Sequence, residues 1–313
     1  MKIYLAPMEG LADHFLRRII AKAGGYDLVV TEFVRVVDQL LPPSVFYRIV
    51  PELNQNGLTA NTPVRVQLLG NHPDALASNA LRAIELGSHG IDLNFGCPSK
   101  TVNNSAGGAI LLKEPDTLYR ITAAVRKAVP SNLIVSAKMR LGYEDTTRIM
   151  ECASALETGG ANEITIHART RVQGYTPPAH WHLVSQISKA LTIPTMINGE
   201  IWCHDTAKQA LQESGCKHLM IGRGAIRNPW LANQIKAAQT ADQDWSDIHA
   251  VLTEFWDSVT AQMSHRYCSG RLKQWLKHLK TQYPRADELY SEIKPIREIA
   301  AISQILRSYK SSD

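Results

Sequence analysis

Eight short apolar runs, at residues 3–5, 28–31, 64–70, 91–93, 133–142, 163–167, 195–199 and 218–222, recur along the chain. Most are followed by apolar residues at helical spacing, as with Phe15, Leu16, Ile19 and Ile20 after the first. Parallel strands need a long crossover, usually a helix, so this alternation means successive βαβ units. It ends near residue 237, close to the length of about 250 residues typical of a (β/α)8 barrel. A doubly wound sheet would call for a Gly-rich turn after the first strand, and Ala6-Pro7-Met8-Glu9-Gly10 is not one. The sequence therefore predicts an α/β fold, a (β/α)8 TIM barrel. Within it, Asp13 should cap a helix that stops at Gly24-Gly25, and residues 145–158 and 204–214 should be helical. Residues 42–62, rich in Pro, Asn and Gly, read as a long excursion with little regular structure.

From Trp245 onward the helical spacing continues without strands, through Ile248, Leu252, Phe255 and Val259 and later Ile299, Ile302 and Leu306. This predicts a barrel domain at 1–240 and a small all-helical C-terminal domain at 241–313. No run of about 18 apolar residues exists, so no membrane span is expected. Pro7 and Glu9 interrupt the N-terminal apolar segment too early for a signal peptide. The five cysteines (Cys97, Cys152, Cys203, Cys216, Cys268) are scattered and form no C-x-x-C pair. That usage predicts a cytoplasmic protein with no disulfide framework and no metal site.

In a barrel the C-terminal strand ends form one face, and chemistry sits there. The residues at those ends are Pro7-Met8-Glu9, Gln67, Asn94 with Cys97, Lys138 with Arg140, His167, Asn198-Gly199-Glu200 and Gly222-Arg223. Cys97 lies between Gly96 and Pro98, which display a thiol at a strand mouth instead of packing it. The glycines after the seventh and eighth strands let backbone N–H groups approach an anion, and Arg223 can fork onto a phosphate. A phosphate-bearing cofactor is expected there. Lys138 suits the carbonyl edge of a flavin, with a pyridoxal Schiff base as the rival role. Gln67 and Asn94 have the reach to bond a ring or substrate edge.

Six blocks carry a family resemblance: Ala6-Pro7-Met8, residues 92–98 (Asp-Leu-Asn-Phe-Gly-Cys-Pro), Lys138-Met139-Arg140-Leu141-Gly142, His167-Ala168-Arg169-Thr170, Asn198-Gly199-Glu200-Ile201 and Met220-Ile221-Gly222-Arg223-Gly224. In this order they resemble the tRNA-dihydrouridine synthase family. The stretch from Glu32 to Pro42 resembles its bacterial C-type subfamily, whose target is uridine 16 of the D loop. The resemblance implies FMN reduced by NADPH, with hydride passing from flavin N5 to C6 of uracil. It implies Cys97 as the acid that protonates C5. It further implies cofactor contacts from Pro7, Met8, Glu9, Gln67, Lys138, His167, Asn198, Gly199, Glu200, Gly222 and Arg223. An unperturbed thiol is mostly protonated at neutral pH, so such a site should not lower the Cys97 pKa.

The net charge of +5 is modest, but residues 265–285 contain no acid and six Lys or Arg residues. Lys273, Lys277 and Lys280 share a helical face there, as a phosphate-binding surface would. The expected substrate or tRNA contacts are Arg35, Asn94, Ala106, Tyr175, Arg271, Lys273 and Lys277, on a protein acting as a monomer. Two other functions fit the same motifs. One is a small-molecule FMN barrel dehydrogenase of dihydropyrimidine or dihydroorotate type. The other is a non-catalytic tRNA-binding protein.

Overall fold

A computed structural model describes residues 1–238 and 243–310. Its parallel strands are β1 (Ile3–Leu5), β2 (Leu28–Arg35), β3 (Thr62–Leu69), β4 (Ile91–Phe95), β5 (Val135–Arg140), β6 (Glu163–His167), β7 (Thr195–Asn198) and β8 (His218–Ile221). They run in the order β2-β1-β8-β7-β6-β5-β4-β3, and β2 pairs with β3 to close the ring. The predicted TIM barrel is the observed fold. Around it lie α1 (His14–Ala23), α2 (Pro43–Ile49), α3 (Pro73–Glu85), α4 (Lys100–Asn104), α5 (Pro115–Ala128) and α6 (Ile149–Thr158). The ring is completed by α7 (Ser185–Ala190), α8 (His204–Ser214), α9 (Arg223–Arg227) and α10 (Leu231–Ala237).

Asp13 caps α1 as its sequence position suggests, its carboxylate accepting from Leu16 N at 3.1 Å. Gly24 ends the helix with φ +91°, a conformation that suits glycine. Two expectations need correction. Residues 42–62 are more ordered than their composition implies. They form α2, a 3-10 turn at Pro51–Gln55 and a two-residue strand, Leu58–Thr59, antiparallel to the start of β3. The prolines open these helical turns where no N–H donor is needed, and Phe46, Val50 and Leu53 are buried beneath them. The helix expected from residue 145 begins at Ile149. Asp145 holds its own turn through Thr147 N (2.9 Å) and Thr147 Oγ1 (2.6 Å), which competes with helix formation.

The C-terminal region consists of α11 (Trp245–Gln262), α12 (His265–Leu279), α13 (Pro284–Ile293) and α14 (Ile299–Ser308). The 240/241 boundary expected from sequence lies outside the described residues. Trp275 of α12 is fully buried, stacks edge-on against Phe255 at 4.9 Å, and donates its indole N–H to the Ile226 carbonyl beside α9 at 3.0 Å. Glu254 of α11 receives Lys22 of α1 at 2.7 Å and Arg18 at 3.2 Å. No described helix is long and apolar enough to cross a membrane.

Candidate active site

The strand ends meet at a cavity of about 530 Å³. Its wall includes Pro7, Met8 and Glu9 after β1, Gln67 on β3, Asn94 and Cys97 from β4, Lys138 on β5 and His167 on β6. Tyr175 follows β6, Asn198, Gly199 and Glu200 come from β7, and Gly222 with Arg223 follow β8. Seven strands thus deliver the polar residues singled out in the sequence to one place. Arg35, Ala106, Arg271, Lys273 and Lys277 lie outside this wall.

Cys97 is half-buried and free. Its loop is held by Asn94, whose Oδ1 accepts from Gly96 N at 3.0 Å and Cys97 N at 2.9 Å. Asn103 donates to the Cys97 carbonyl at 2.9 Å from the other side. Burial pushes the Cys97 thiol above its ordinary pKa, with Glu9 adding to the effect, while the backbone N–H of Ser99 and, less strongly, Arg140 and Lys138 oppose it. Exposed Lys100 is not among the charges acting on it. The thiol is therefore a protonated acid at neutral pH.

Lys138 makes no hydrogen bond or ion pair among the described residues, and burial lowers its ammonium to a pKa of about 8. Arg140 reaches across the mouth, donating to the carbonyls of Gly96 (2.8 Å), Thr170 (3.0 Å) and Gly174 (2.9 Å). Arg169, fully buried, pairs with Glu200 at 2.9 Å and donates to Thr176 O at 2.7 Å. His167 is pushed well below its usual pKa by burial and by Arg140, Lys138, Arg169 and Arg223. It is therefore neutral at ordinary pH, a ring able to donate or accept a hydrogen bond but carrying no charge. So many cations around one cavity make an anionic ligand favourable there.

Glycine is required by geometry at two positions near β7 and β8. Gly199 has φ +119°, and a Cβ there would lie 3.0 Å from the His167 ring. A Cβ on Gly224 would come within 2.1 Å of the Ile201 carbonyl. At the start of α9, the N–H groups of Arg223 and Gly224 precede any intrahelical acceptor. The Arg223 guanidinium rests between the rings of Tyr175 (4.8 Å) and Trp202 (5.5 Å). Glu200 lines the cavity and is also engaged within the wall: one oxygen meets Arg169 and the other accepts from Ala179 N.

The residues read as RNA contacts divide in two. Tyr175 is 53% exposed at the mouth, beside Val172 at 62%. Arg35 and Lys277 are exposed, as is Ala106 in a left-handed turn (φ +53°). Arg271 instead turns inward, pairing with Asp13 at 2.8 Å and donating to Leu11 O at 3.2 Å. Lys273 donates to the Ile296 carbonyl and Lys280 to Asp287 at 2.6 Å. Trp202 and Phe33 line the cavity but are not singled out by the sequence as site residues, although each lies in or beside a motif: Trp202 two residues beyond the Asn-Gly-Glu block, Phe33 within the stretch from Glu32 to Pro42. The sequence places Arg140 at the mouth, but not its role as a clamp on three carbonyls.

The comparisons agree with this geometry. A family model described as dihydrouridine synthase matches residues 4–304. A tRNA-dihydrouridine(16) synthase of Shewanella oneidensis is 48% identical over 307 residues, covering 98% of this chain and 97% of that protein. One from Pasteurella multocida is 50% identical over 304 residues, covering 96% and 97%. Among solved structures, a 2-naphthoyl-CoA reductase complex superposes with a TM-score of 0.60 at 13% identity. That match covers 76% of this chain and 50% of the reductase, and at such identity it speaks to the fold alone.

Proposed function

The chain belongs to the dihydrouridine synthase family, and on that premise we propose that it reduces uridine 16 of the tRNA D loop to 5,6-dihydrouridine, with bound FMN and NADPH as reductant. The observation that carries this reading is that Cys97 shares one cavity with Arg140, Arg223 and Lys138, the last making no hydrogen bond or ion pair among the described residues.

The residues suit a flavin mononucleotide. A volume of about 530 Å³ lies within the range of cofactor sites. The N–H groups of Arg223 and Gly224 at the start of α9, in the cavity lining with the Arg223 guanidinium, fit a phosphate, and the β8 end of barrels often holds one. Lys138 fits the carbonyl edge of a ring that becomes anionic on reduction. When bound, FMN would supply the hydride for C6 of uracil. Cys97 would then give its proton to C5, and the thiolate left behind would be stabilised by Lys138 and Arg140. Neutral His167 would donate a hydrogen bond without competing for that proton. A uracil must leave its stack to reach this depth, which costs a few kcal/mol. Exposed Tyr175, flanked by the guanidinium groups of Arg140 (5.3 Å) and Arg223 (4.8 Å), is placed to stack on a displaced base.

In this reading the barrel holds FMN, the helical region faces tRNA, and the protein works as a cytoplasmic monomer. Lys277 is the clearest phosphate contact on α12, because the cations of Arg271, Lys273 and Lys280 are engaged within the molecule. Lys277→Ala should lower the slope of log affinity for tRNA against log salt by about one. Arg271→Ala should leave that slope alone while loosening the loop around Leu11. Equal slopes for Lys277→Ala and the parent protein would remove Lys277 from the interface.

The function is tested by incubating tRNA that lacks dihydrouridine with the protein, FMN and NADPH, and mapping the product base by base. Dihydrouridine confined to position 16 is the expected result. Reduction at another position would reject the assigned site, and reduction of free uracil or orotate instead of tRNA would reject the substrate.

A further inference from the structure

Beneath the Cys97 loop runs an unbroken chain of buried polar side chains, of which Gln67 and Asn94 border the cavity while Asp92, Ser136 and Arg65 lie behind its wall. Ser136 Oγ accepts from Arg65 Nη1 at 3.0 Å and donates to Asp92 Oδ1 at 2.6 Å. The other oxygen, Asp92 Oδ2, accepts from Gln67 Nε2 at 2.6 Å. Gln67 Oε1 accepts from Asn94 Nδ2 at 2.7 Å, and Asn94 Oδ1 accepts from the Gly96 and Cys97 N–H groups. Asp92 is 1% exposed and Gln67 0%, so water cannot stand in for a missing partner. Burial raises the Asp92 pKa, opposed by the bonds from Gln67 and Ser136 and by the cations of Arg65 and Lys138.

We propose that Asp92 is a positioning residue that sets, through Gln67 and Asn94, the orientation of the Cys97 loop. Oδ1 of Asp92 receives the Ser136 hydroxyl and Oδ2 receives the Gln67 amide, so both carboxyl oxygens act as acceptors. Gln67 must therefore present its NH2 to Asp92, which leaves its oxygen for Asn94. Asn94 must then spend its own NH2 on Gln67 and turn its oxygen to the two loop amides. Reversing any link sets donor against donor in a dry interior, where the unmet group bears its full desolvation cost. Arg65, itself paired with buried Glu163, anchors the far end by occupying the Ser136 oxygen. The sense of every bond up to Cys97 thus follows from one buried acid on β4.

This inference concerns the loop that carries Cys97 and stands whether or not uridine 16 is the substrate. Its test is a rescue with a defined sign, read as the alkylation rate of Cys97 against pH in the full-length protein, resolved by peptide mass spectrometry. Cys203 is exposed and Cys152 buried, so they report reagent activity and global unfolding in the same sample. Gln67→Glu sets carboxyl against carboxyl, and the loop should be freed as pH rises through the value at which the pair gives up its shared proton. Above that pH the thiol pKa should fall toward its ordinary value, and alkylation should run several-fold faster than in the parent protein. Asp92→Asn alone should be nearly silent, since its oxygen still receives Gln67. Combining the two should restore the parent rate. The new amide at position 92 would donate to the new carboxylate at position 67, which still accepts from Asn94. If Gln67→Glu does not fold, Asn94→Asp replaces it, with the same expected rescue by Asp92→Asn through an inverted Gln67. An unchanged Cys97 profile in the single variant, or a double variant that stays fast, overturns the proposal even if thermal stability changes.

Discussion

Cys97→Ala should bind tRNA and undergo flavin reduction by NADPH at parental rates, yet form dihydrouridine about 10² to 10⁴ times more slowly, the usual contribution of a positioned acid. The argument is electrostatic. Desolvation holds the thiol above its ordinary pKa, so the proton is present at neutral pH, and Lys138 with Arg140 receive the charge once it departs. The rate should accordingly be flat through neutral pH and fall as pH rises through the elevated thiol pKa. Lys138 titrates at about 8, so part of its support is already lost in that range. Single-turnover rates of hydride transfer and product formation separate the steps. A variant that makes product at the parental rate would remove Cys97 from the chemistry.

Arg17→Met should cost about 3 to 5 kcal/mol of folding stability, the usual result of removing one partner of a buried ion pair. Arg17 is fully buried on α1, with Nε to Glu52 at 2.9 Å and Nη2 to its second oxygen at 3.0 Å. It also donates to the carbonyls of Ala12 and Ile49, both at 2.9 Å, and lies 3.7 Å from Glu32. Without it, two carboxylates face each other in a poorly solvated space. Glu32 is already raised by burial, and Arg17 is the main influence holding it down. Its folded pKa should climb further in the variant, so the folded state would bind more protons than the unfolded one. The variant's deficit should then shrink as pH falls and widen as pH rises through that value. Urea unfolding at two pH values measures it. Arg17→Lys should recover little, because one ammonium cannot satisfy four acceptors in this fork geometry. A loss below about 1 kcal/mol in Arg17→Met would mean the pair is solvated or dispensable.

Neither Arg17 nor Asp92 can be recognised from its neighbours. Arg17 follows Leu16 on an amphipathic helix and looks like an ordinary polar residue. Asp92 sits in an apolar strand, where its motif draws attention to Cys97 instead. Arg271 has the opposite history: a basic stretch marks it for nucleic acid, but its partner is Asp13, 258 residues earlier.

What the sequence determined alone is the barrel and the membership of its mouth. Strand and helix periods are local properties, and parallel strands joined by right-handed crossovers must all end on one face, so the residues after each run converge without knowledge of any contact. The Gly-bearing turns at Gly199 and Gly224 were legible for the same reason, since backbone reach is set residue by residue. Only the tertiary structure decided which charges are used internally, which way each amide points, and whether the thiol is raised or lowered. Those outcomes depend on desolvation and on partners brought together from distant strands, such as Gln67 with Asp92 and Arg17 with Glu52. Burial and pairing are properties of the assembled ring, and no stretch of the chain encodes them separately.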